Sequence, residues 1–394
     1  MQPAVDRIVS FLRAHGARRG FGDPLGNLPV IAIAEPELAA TLADADGHLG
    51  HVGVAYHAAT RLLRVSSRFS GADVPVERCD DPVHMARVIG AAARAARRDH
   101  CTRAIELAFD LARPVRSQPP PRGGWDYVPF AGALVGPGRR VAVLAGPGVV
   151  RRGAANAVAE FAARTHVGVA NTWGAKGLFR WDSPHHMGTV GLQAHDFELV
   201  FDGIDVVLTA GLDTDETRPP MPDGVQVIAL DAQQLASLTE FIAPRPSIEP
   251  NPLYARLAAV AQPGYQDERR PYHPARVVAL LRERLPAGGL IAADPGPVGW
   301  WVARTFSTVE LGSVVVPAAG VPGSAAACAA IARLDGRPAI AATRTPSALH
   351  NAVVEWSARG RRPLDVSCWD GDDLPIDWSL DRALVDAAGA CVAF

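Results

Sequence analysis

The chain has no excess of one charge: 39 Lys and Arg stand against 41 Asp and Glu among 394 residues. That near-balance leaves no electrostatic footprint for a nucleic acid or a membrane surface, and neither is expected as a partner. Long basic runs are missing too, and the short clusters Arg151-Arg152 and Arg359-Arg361-Arg362 read as solvated faces. Cysteine is sparse and unpatterned, with five residues at 79, 101, 328, 368 and 391 and no Cys-x-x-Cys pair. This excludes a zinc ribbon or a disulfide framework and points to reduced thiols in a cytoplasmic protein. The most apolar stretch, "SVVVPAAGVPGSAAACAAIARL" (313–334), is interrupted by Pro and Gly and makes a poor membrane span. The first residues, "MQPAVDRIVSFLRAHG", read as an amphipathic helix rather than a signal peptide, with Val5, Ile8, Val9 and Leu12 on one face. His-Glu-x-x-His, Gly-x-Ser-x-Gly and P-loop motifs do not occur.

What is present is apolar material, 48% of the residues, cut by proline-rich stretches at 112–129 and between 243 and 274. Proline stiffens such segments and keeps them out of sheet interiors, so they read as linkers. Blocks at 1–115, 125–245 and 270–394 result. In the middle block, strands "RRVAVLAGPG", "VGVANT", "DVVLTAG" and "VQVIALD" alternate with a helix, "AANAVAEFAART". The last block continues the style with helix "PARVVALLRERL", strand "GLIAAD", helix "SAAACAAIARL", strand "AIAAT", helix "ALHNAVVEWSAR" and strand "LDVSCW". Such alternation predicts α/β domains with doubly wound parallel sheets.

Two turns lie where ligands bind in such sheets, at the carboxyl ends of strands. "GPGVVRRG" (146–153) joins a strand to a helix as a phosphate-cradling loop would, yet lacks the Gly-x-Gly-x-x-Gly spacing. A tight strand-to-helix turn explains it equally well. The second turn is Thr343-Arg344-Thr345-Pro346, leading into a helix for which Ser347 is the expected N-cap. Arg344 could hold an anion directly through its planar fork beside that helix start. Alternatively it pairs with Asp370. Cys328, among small residues, reads as a packed thiol.

The string "NTWGAKGLFRWDSPHHMGTVGLQAHDFELVFDGIDVVLTAGLD" (171–213) resembles the central domain of thiamine-diphosphate-dependent enzymes of the acetolactate synthase and 2-oxo-acid decarboxylase group. The features that carry the likeness are Thr172, Gly174-Ala175-Lys176-Gly177, Pro184-His185, the stretch from Gly188 to Gly191, and Gly211. His185-His186 match a scaffold position there, not a metal site; His195 lies in the same stretch. The flanks "HPARVVALLRERLPAGGLIAADPGPVGWW" and "PVERCDDPVHMARVIGAAARAARRDHCTRAIELAFDLARPV" are similar to the family's diphosphate-binding and pyrimidine-binding domains. The resemblance implies three α/β domains in the order pyrimidine-binding-like, central, diphosphate-binding-like, the first one shortened. It implies a homodimer or tetramer, because the family builds each cofactor site between two subunits. It also implies that the central domain could bind FAD or ADP through Gly146, Gly148, Thr172, Gly191, Gly211 and Asp231.

The family's pyrimidine-contacting glutamate corresponds to Glu35, which precedes "GHVGV" (50–54) at the family spacing; Glu37 is its neighbour, and an exposed helix-start carboxylate is the plainer reading. Three departures follow. Where the family has a Gly-Asp-Gly turn that grips Mg²⁺, this chain has Thr343-Arg344-Thr345, and a guanidinium has no lone pair for a metal. Pro322 stands where the family places a bulky apolar prop for the cofactor, and the first block is short. Thiamine diphosphate bound in the usual Mg²⁺-dependent way is therefore not expected. The expectation is a non-catalytic, regulatory or partner subunit, conceivably of a complete thiamine-diphosphate enzyme. The alternative is a 2-oxo-acid decarboxylase or carboligase completed by a partner chain, or one using Arg344 for an anionic ligand.

Overall fold

Four residues, 58–61, separate the apolar runs Gly53–His57 and Leu62–Ser66, and so short a turn joins strands only in antiparallel fashion. That hairpin sets the first sheet apart from the others. The computed structural model describes residues 2–70, 74–99, 101–115, 138–192, 196–213, 216, 221–230, 234–235, 262, 264–269, 272–344 and 346–369. Asp231, His195, Thr345, Asp370 and Cys391 lie outside the described residues, as does much of both proline-rich stretches.

The first block runs β1 (Gln2–Pro3), α1 (Ala4–Ala14), β2 (Gly20–Gly22), β3 (Val30–Ala32), α2 (Pro36–His48), β4 (Gly53–His57), β5 (Leu62–Ser66), β6 (Val76–Cys79), α3 (Pro82–Asp99), β7 (Arg103–Leu107) and β8 (Pro114–Val115). The helix α1 forms on the expected amphipathic face, burying Ile8, Val9 and Leu12 in a core shared with Val88 and Ile89 of α3. The main sheet has the order β3-β2-β4-β5-β7-β6; β5 is antiparallel to both neighbours, and the remaining pairs are parallel. Six strands fit in so short a block because the hairpin replaces a crossover, which needs a dozen or more residues.

The middle block comprises β9 (Val141–Ala145), α4 (Pro147–Arg151), α5 (Ala155–Thr165), β10 (Gly168–Thr172), β11 (His186–Val190), α6 (Asp196–Phe201), β12 (Val206–Ala210) and β13 (Gln226–Leu230). All pairs are parallel in the order β11-β10-β9-β12-β13. Every residue of β9, β10 and β12 is buried, which is why those strands read as mostly apolar runs, interrupted only by Asn171, Thr172 and Thr209. The edge strand β13 instead alternates between half-buried and exposed residues.

The last block continues with α7 (Pro274–Arg284), β14 (Leu290–Ala293), α8 (Pro297–Thr305), β15 (Val314–Val315), α9 (Ser324–Leu334), β16 (Ala339–Thr343), α10 (Ala348–Arg359) and β17 (Asp365–Cys368). Its sheet is parallel throughout, in the order β15-β14-β16-β17. Ser347 caps α10 as its position suggests, accepting a hydrogen bond from the His350 N–H at 3.0 Å. Cys328 is fully buried, and the described cysteines 79, 101, 328 and 368 are free thiols.

By its contacts the chain groups into two units: 1–126 with 319–335 and 347–363, and 127–318 with 336–346 and 364–394. The helices α9 and α10, which the sequence places in the last block, thus belong with the first unit. The face of α9 is nearly all small residues, so it lies close against α2. Arg19, just before β2, reaches both Asp46 of α2 and Asp335 at the end of α9, each at 2.6 Å.

Candidate functional site

In an open parallel sheet the ligand crevice forms where strand order reverses, at the carboxyl ends of the strands. In the central sheet that place lies between β9 and β12. Here the two turns touch backbone to backbone. The Gly146 N–H donates to the Ala210 carbonyl and the Gly148 N–H to the Gly211 carbonyl, each at 2.8 Å. The glycines permit this approach: a Cβ on Gly146 would come within 2.4 Å of the Gly211 oxygen. Gly211 itself has φ +62°, and a Cβ there would meet the Val149 nitrogen at 2.5 Å. The structure thus brings the sequence-predicted Gly146, Gly148 and Gly211 together, with the first two N–H groups spent on protein carbonyls rather than offered to a phosphate.

Across the same crevice Arg151 of α4 grips Asp213 with two hydrogen bonds, 2.6 and 2.8 Å, and both side chains are buried. The reading of Arg151-Arg152 as a solvated face is therefore corrected for Arg151; Arg152 alone is exposed. The two fates differ because consecutive residues at a helix end point about 100° apart.

The neighbouring edge, beyond β10 and β11, holds further buried polar groups. Thr172 ends β10, and the turn that follows presents the Gly174 N–H to Glu216 Oε1 at 3.0 Å. Glu216 is buried, and its Oε2 has no hydrogen-bond partner among the described residues. Burial pushes this carboxyl up to about 7; Asp213 adds to the effect, while the Thr172 hydroxyl, the Gly174 N–H and Arg151 oppose it. Two residues on, Lys176 is buried as well, and no hydrogen bond from its ammonium is formed among the described residues. Burial, and then the positive charge of Arg304, pull it down to about 8.

Arg304 comes from α8 and donates to the Thr189 carbonyl at 2.6 Å and to both carboxylate oxygens of Asp196 at 2.9 Å. It pins the end of β11 and the turn at Gly191, where φ is +89°. The adjacent histidines face different ways: His186 Nε2 meets Asn171 Oδ1 at 2.8 Å, whereas the His185 ring lies beside that of His166. Burial and the nearby Lys176 pull His186 down to about 3, so it is neutral at neutral pH. This edge therefore carries a weak base, Lys176, and a weak acid, Glu216, both titrating near neutrality. The sequence singled out Lys176 only as part of the Gly174 to Gly177 turn and Glu216 not at all, because only burial gives them that character.

In the last sheet the strand order reverses between β14 and β16, and that crevice is bridged too. The Asp294 N–H donates to the Ala342 carbonyl at 2.9 Å, and the Thr343 hydroxyl donates to Asp294 Oδ2 at 2.7 Å. The next residue, Arg344, is exposed, and its carbonyl accepts from the Cys368 thiol. Magnesium needs several oxygen ligands, normally with a carboxylate free to coordinate. The described residues of this turn supply a hydroxyl already given to Asp294 and a guanidinium, and that donor set does not fit a Mg²⁺–diphosphate. Among the described residues the one group of three metal-competent side chains is Asp46, His51 and Asp335, in the first unit. Arg19 already spans both of those carboxylates.

Glu35 is exposed at the start of α2 and lines a cavity of about 410 Å³ in the first unit. The walls are Ile31 to Ala34 of the β3 end, Ala330 and Leu334 of α9, and Trp356, Arg359 and Arg362 at the carboxyl-terminal end of α10. The turn holding Arg344 leads into the opposite end of α10, and a helix of 12 residues is about 18 Å long. The cavity that Glu35 lines is therefore built from the end of α10 remote from that turn.

Residues 133–238 match the family model described as thiamine pyrophosphate enzyme, central domain. No curated protein matches the chain. Among the described residues no helix is long and apolar enough to cross a membrane. The matched segment contains the whole five-stranded parallel sheet, from β9 to β13, with Thr172 at the end of β10, Lys176 after it and Gly211 after β12. Residues 133–238 are thus those of a thiamine pyrophosphate enzyme central domain.

Proposed function

We propose that this chain does not carry out Mg²⁺–thiamine diphosphate chemistry on its own and acts as a non-catalytic or regulatory partner subunit of acetolactate synthase type. The reading rests on one observation above all. At the carboxyl end of β16, Thr343 spends its hydroxyl on Asp294 and Arg344 follows, so the metal-gripping carboxylate has no counterpart in the described turn. The bridged crevice between β9 and β12 supports a similar reading of the central domain, since a nucleotide phosphate would have to displace bonded backbone. Assembly into a homodimer or tetramer, or with a complete thiamine-diphosphate enzyme, belongs to the same proposal.

Calorimetric titration of the purified protein with thiamine diphosphate and Mg²⁺, then with FAD and with ADP, tests this. The expected result is no metal-dependent heat with thiamine diphosphate; micromolar, Mg²⁺-dependent binding would overturn the proposal.

A second reading, a decarboxylase or carboligase completed by another chain, is favoured by one feature. Glu35 faces a cavity instead of lying on a featureless surface. If that reading holds, the Arg344→Gln variant loses binding of inorganic pyrophosphate that the parent chain shows without metal.

A further inference from the structure

We propose that the cavity beside Glu35 binds a small organic acid, its apolar planar body lying against Trp356, Ile31 and Leu334 and its single carboxylate held by Arg359 and Arg362. The site shares Glu35 with the second reading above but involves neither the turn at 343–344 nor the central sheet, on which the first reading rests.

The cavity has the mixed lining that small-molecule sites show, apolar residues with a few charged groups among them. Its apolar lining includes Ile31, Ile33, Ala330, Leu334 and Trp356, and its charged lining residues are Glu35, Arg359 and Arg362. Among the described residues the strand β3 is the edge of its sheet and pairs only with β2.

The arginines are set there by a fixed turn. Arg361 has φ +58°, a left-handed conformation that is strained for a side-chain-bearing residue. Three bonds hold it: Arg361 N–H to the Ala358 carbonyl, Arg362 N–H to the Ser357 carbonyl, and the Ser357 hydroxyl to the Arg362 carbonyl. The chain reversal that results brings Arg359, before the turn, and Arg362, after it, to one cavity. Their charges are not neutralised locally. Arg359 approaches Glu355 only at 3.8 Å between exposed side chains, and Arg362 forms no salt bridge among the described residues.

A planar carboxylate matches a guanidinium fork in two-point hydrogen bonding, and Trp356 supplies the flat apolar face for a ring. Glu35 decides the charge of the ligand. Its carboxylate at the same cavity repels a second negative charge, so a monoanion is favoured over a diphosphate.

The test is calorimetric titration of the full chain with 2-naphthoate, with the neutral 2-naphthalenemethanol, and with inorganic pyrophosphate. We expect naphthoate to bind with a Kd below about 1 mM and more tightly than either comparison probe. The double variant Arg359→Gln/Arg362→Gln should weaken naphthoate at least about tenfold and leave naphthalenemethanol unchanged, while the Lys double variant restores part of the loss. Trp356→Ala should weaken both naphthyl probes. Absence of naphthoate binding at millimolar concentration overturns the proposal, as does a loss below about threefold in the Gln double variant. So does pyrophosphate binding that is as tight as that of naphthoate and is lost in the Gln double variant. All the substituted arginines are exposed, and an unchanged thermal unfolding curve separates loss of binding from loss of fold.

Discussion

Arg151 and Asp213 form a buried, two-point ion pair that closes the crevice between the first and fourth strands of the central sheet. A helix turn after β9 supplies the guanidinium, and the segment after β12 supplies the carboxylate, so the pair ties together the two loops that a ligand would have to part.

Removing one partner leaves the other charge buried without compensation. Arg151→Ala or Asp213→Ala should each lower stability by about 3–5 kcal/mol, read from urea unfolding. The double change Arg151→Met/Asp213→Leu should cost less than either single change. If the single variants lose under about 1 kcal/mol, the pair is not the buried contact described.

Glu216 should make the protein less stable as pH rises. Its folded-state carboxyl is pushed up to about 7 from an ordinary 4.5. Between those values the folded chain keeps a proton that the unfolded chain releases, so stability falls with increasing pH, by about 1.4 kcal/mol per unit at most. Urea unfolding from pH 4 to 8 should show a difference between parent and Glu216→Gln that grows across this window and is flat above it.

The sign at Lys176 is the opposite. With the folded ammonium pulled down to about 8 from an ordinary 10.5, the cost of burying the charge is fully present below about 8 and is relieved as pH rises toward 10.5. Lys176→Met should therefore be more stable than the parent at pH 7, by about 1 kcal/mol or more, with the advantage shrinking above pH 8. A variant less stable than the parent at pH 7 would indicate that the ammonium has an acceptor in the folded chain.

Ser347→Ala should cost about 1 kcal/mol, because the hydroxyl both accepts from the His350 N–H and donates to the Pro322 carbonyl. The loss is measurable as a shift in the midpoint of thermal unfolding, and Ser347→Asp, which can still cap, should recover most of it.

Much of this architecture was legible beforehand. The strands β9, β12 and β16 were readable because a strand buried on both faces must be mostly apolar, and α10 because Ser347 marks its start. The antiparallel hairpin at 58–61 was visible only as two apolar runs; the pairing direction follows from the short turn between them. Gly146, Gly148 and Gly211 were singled out for a phosphate, and their proximity is real, but the close approach serves backbone-to-backbone bonds. Arg151 illustrates the opposite failure: a local pair of arginines gives no hint that a carboxylate 62 residues later, in the segment after β12, meets one of them. Asp231, expected at the same edge, lies outside the described residues.

The order of residues by itself determined the periodicities, hence the parallel sheets, their covering helices and the guanidinium at the carboxyl end of β16, since each of these is set by neighbours along the chain. Only the tertiary structure decided which polar groups are withdrawn from water: Lys176 and Glu216 are ordinary residues in a string of letters and become a weak base and a weak acid once the fold buries them. The reason is that desolvation depends on what surrounds a group in three dimensions, and strands distant in sequence supply those surroundings.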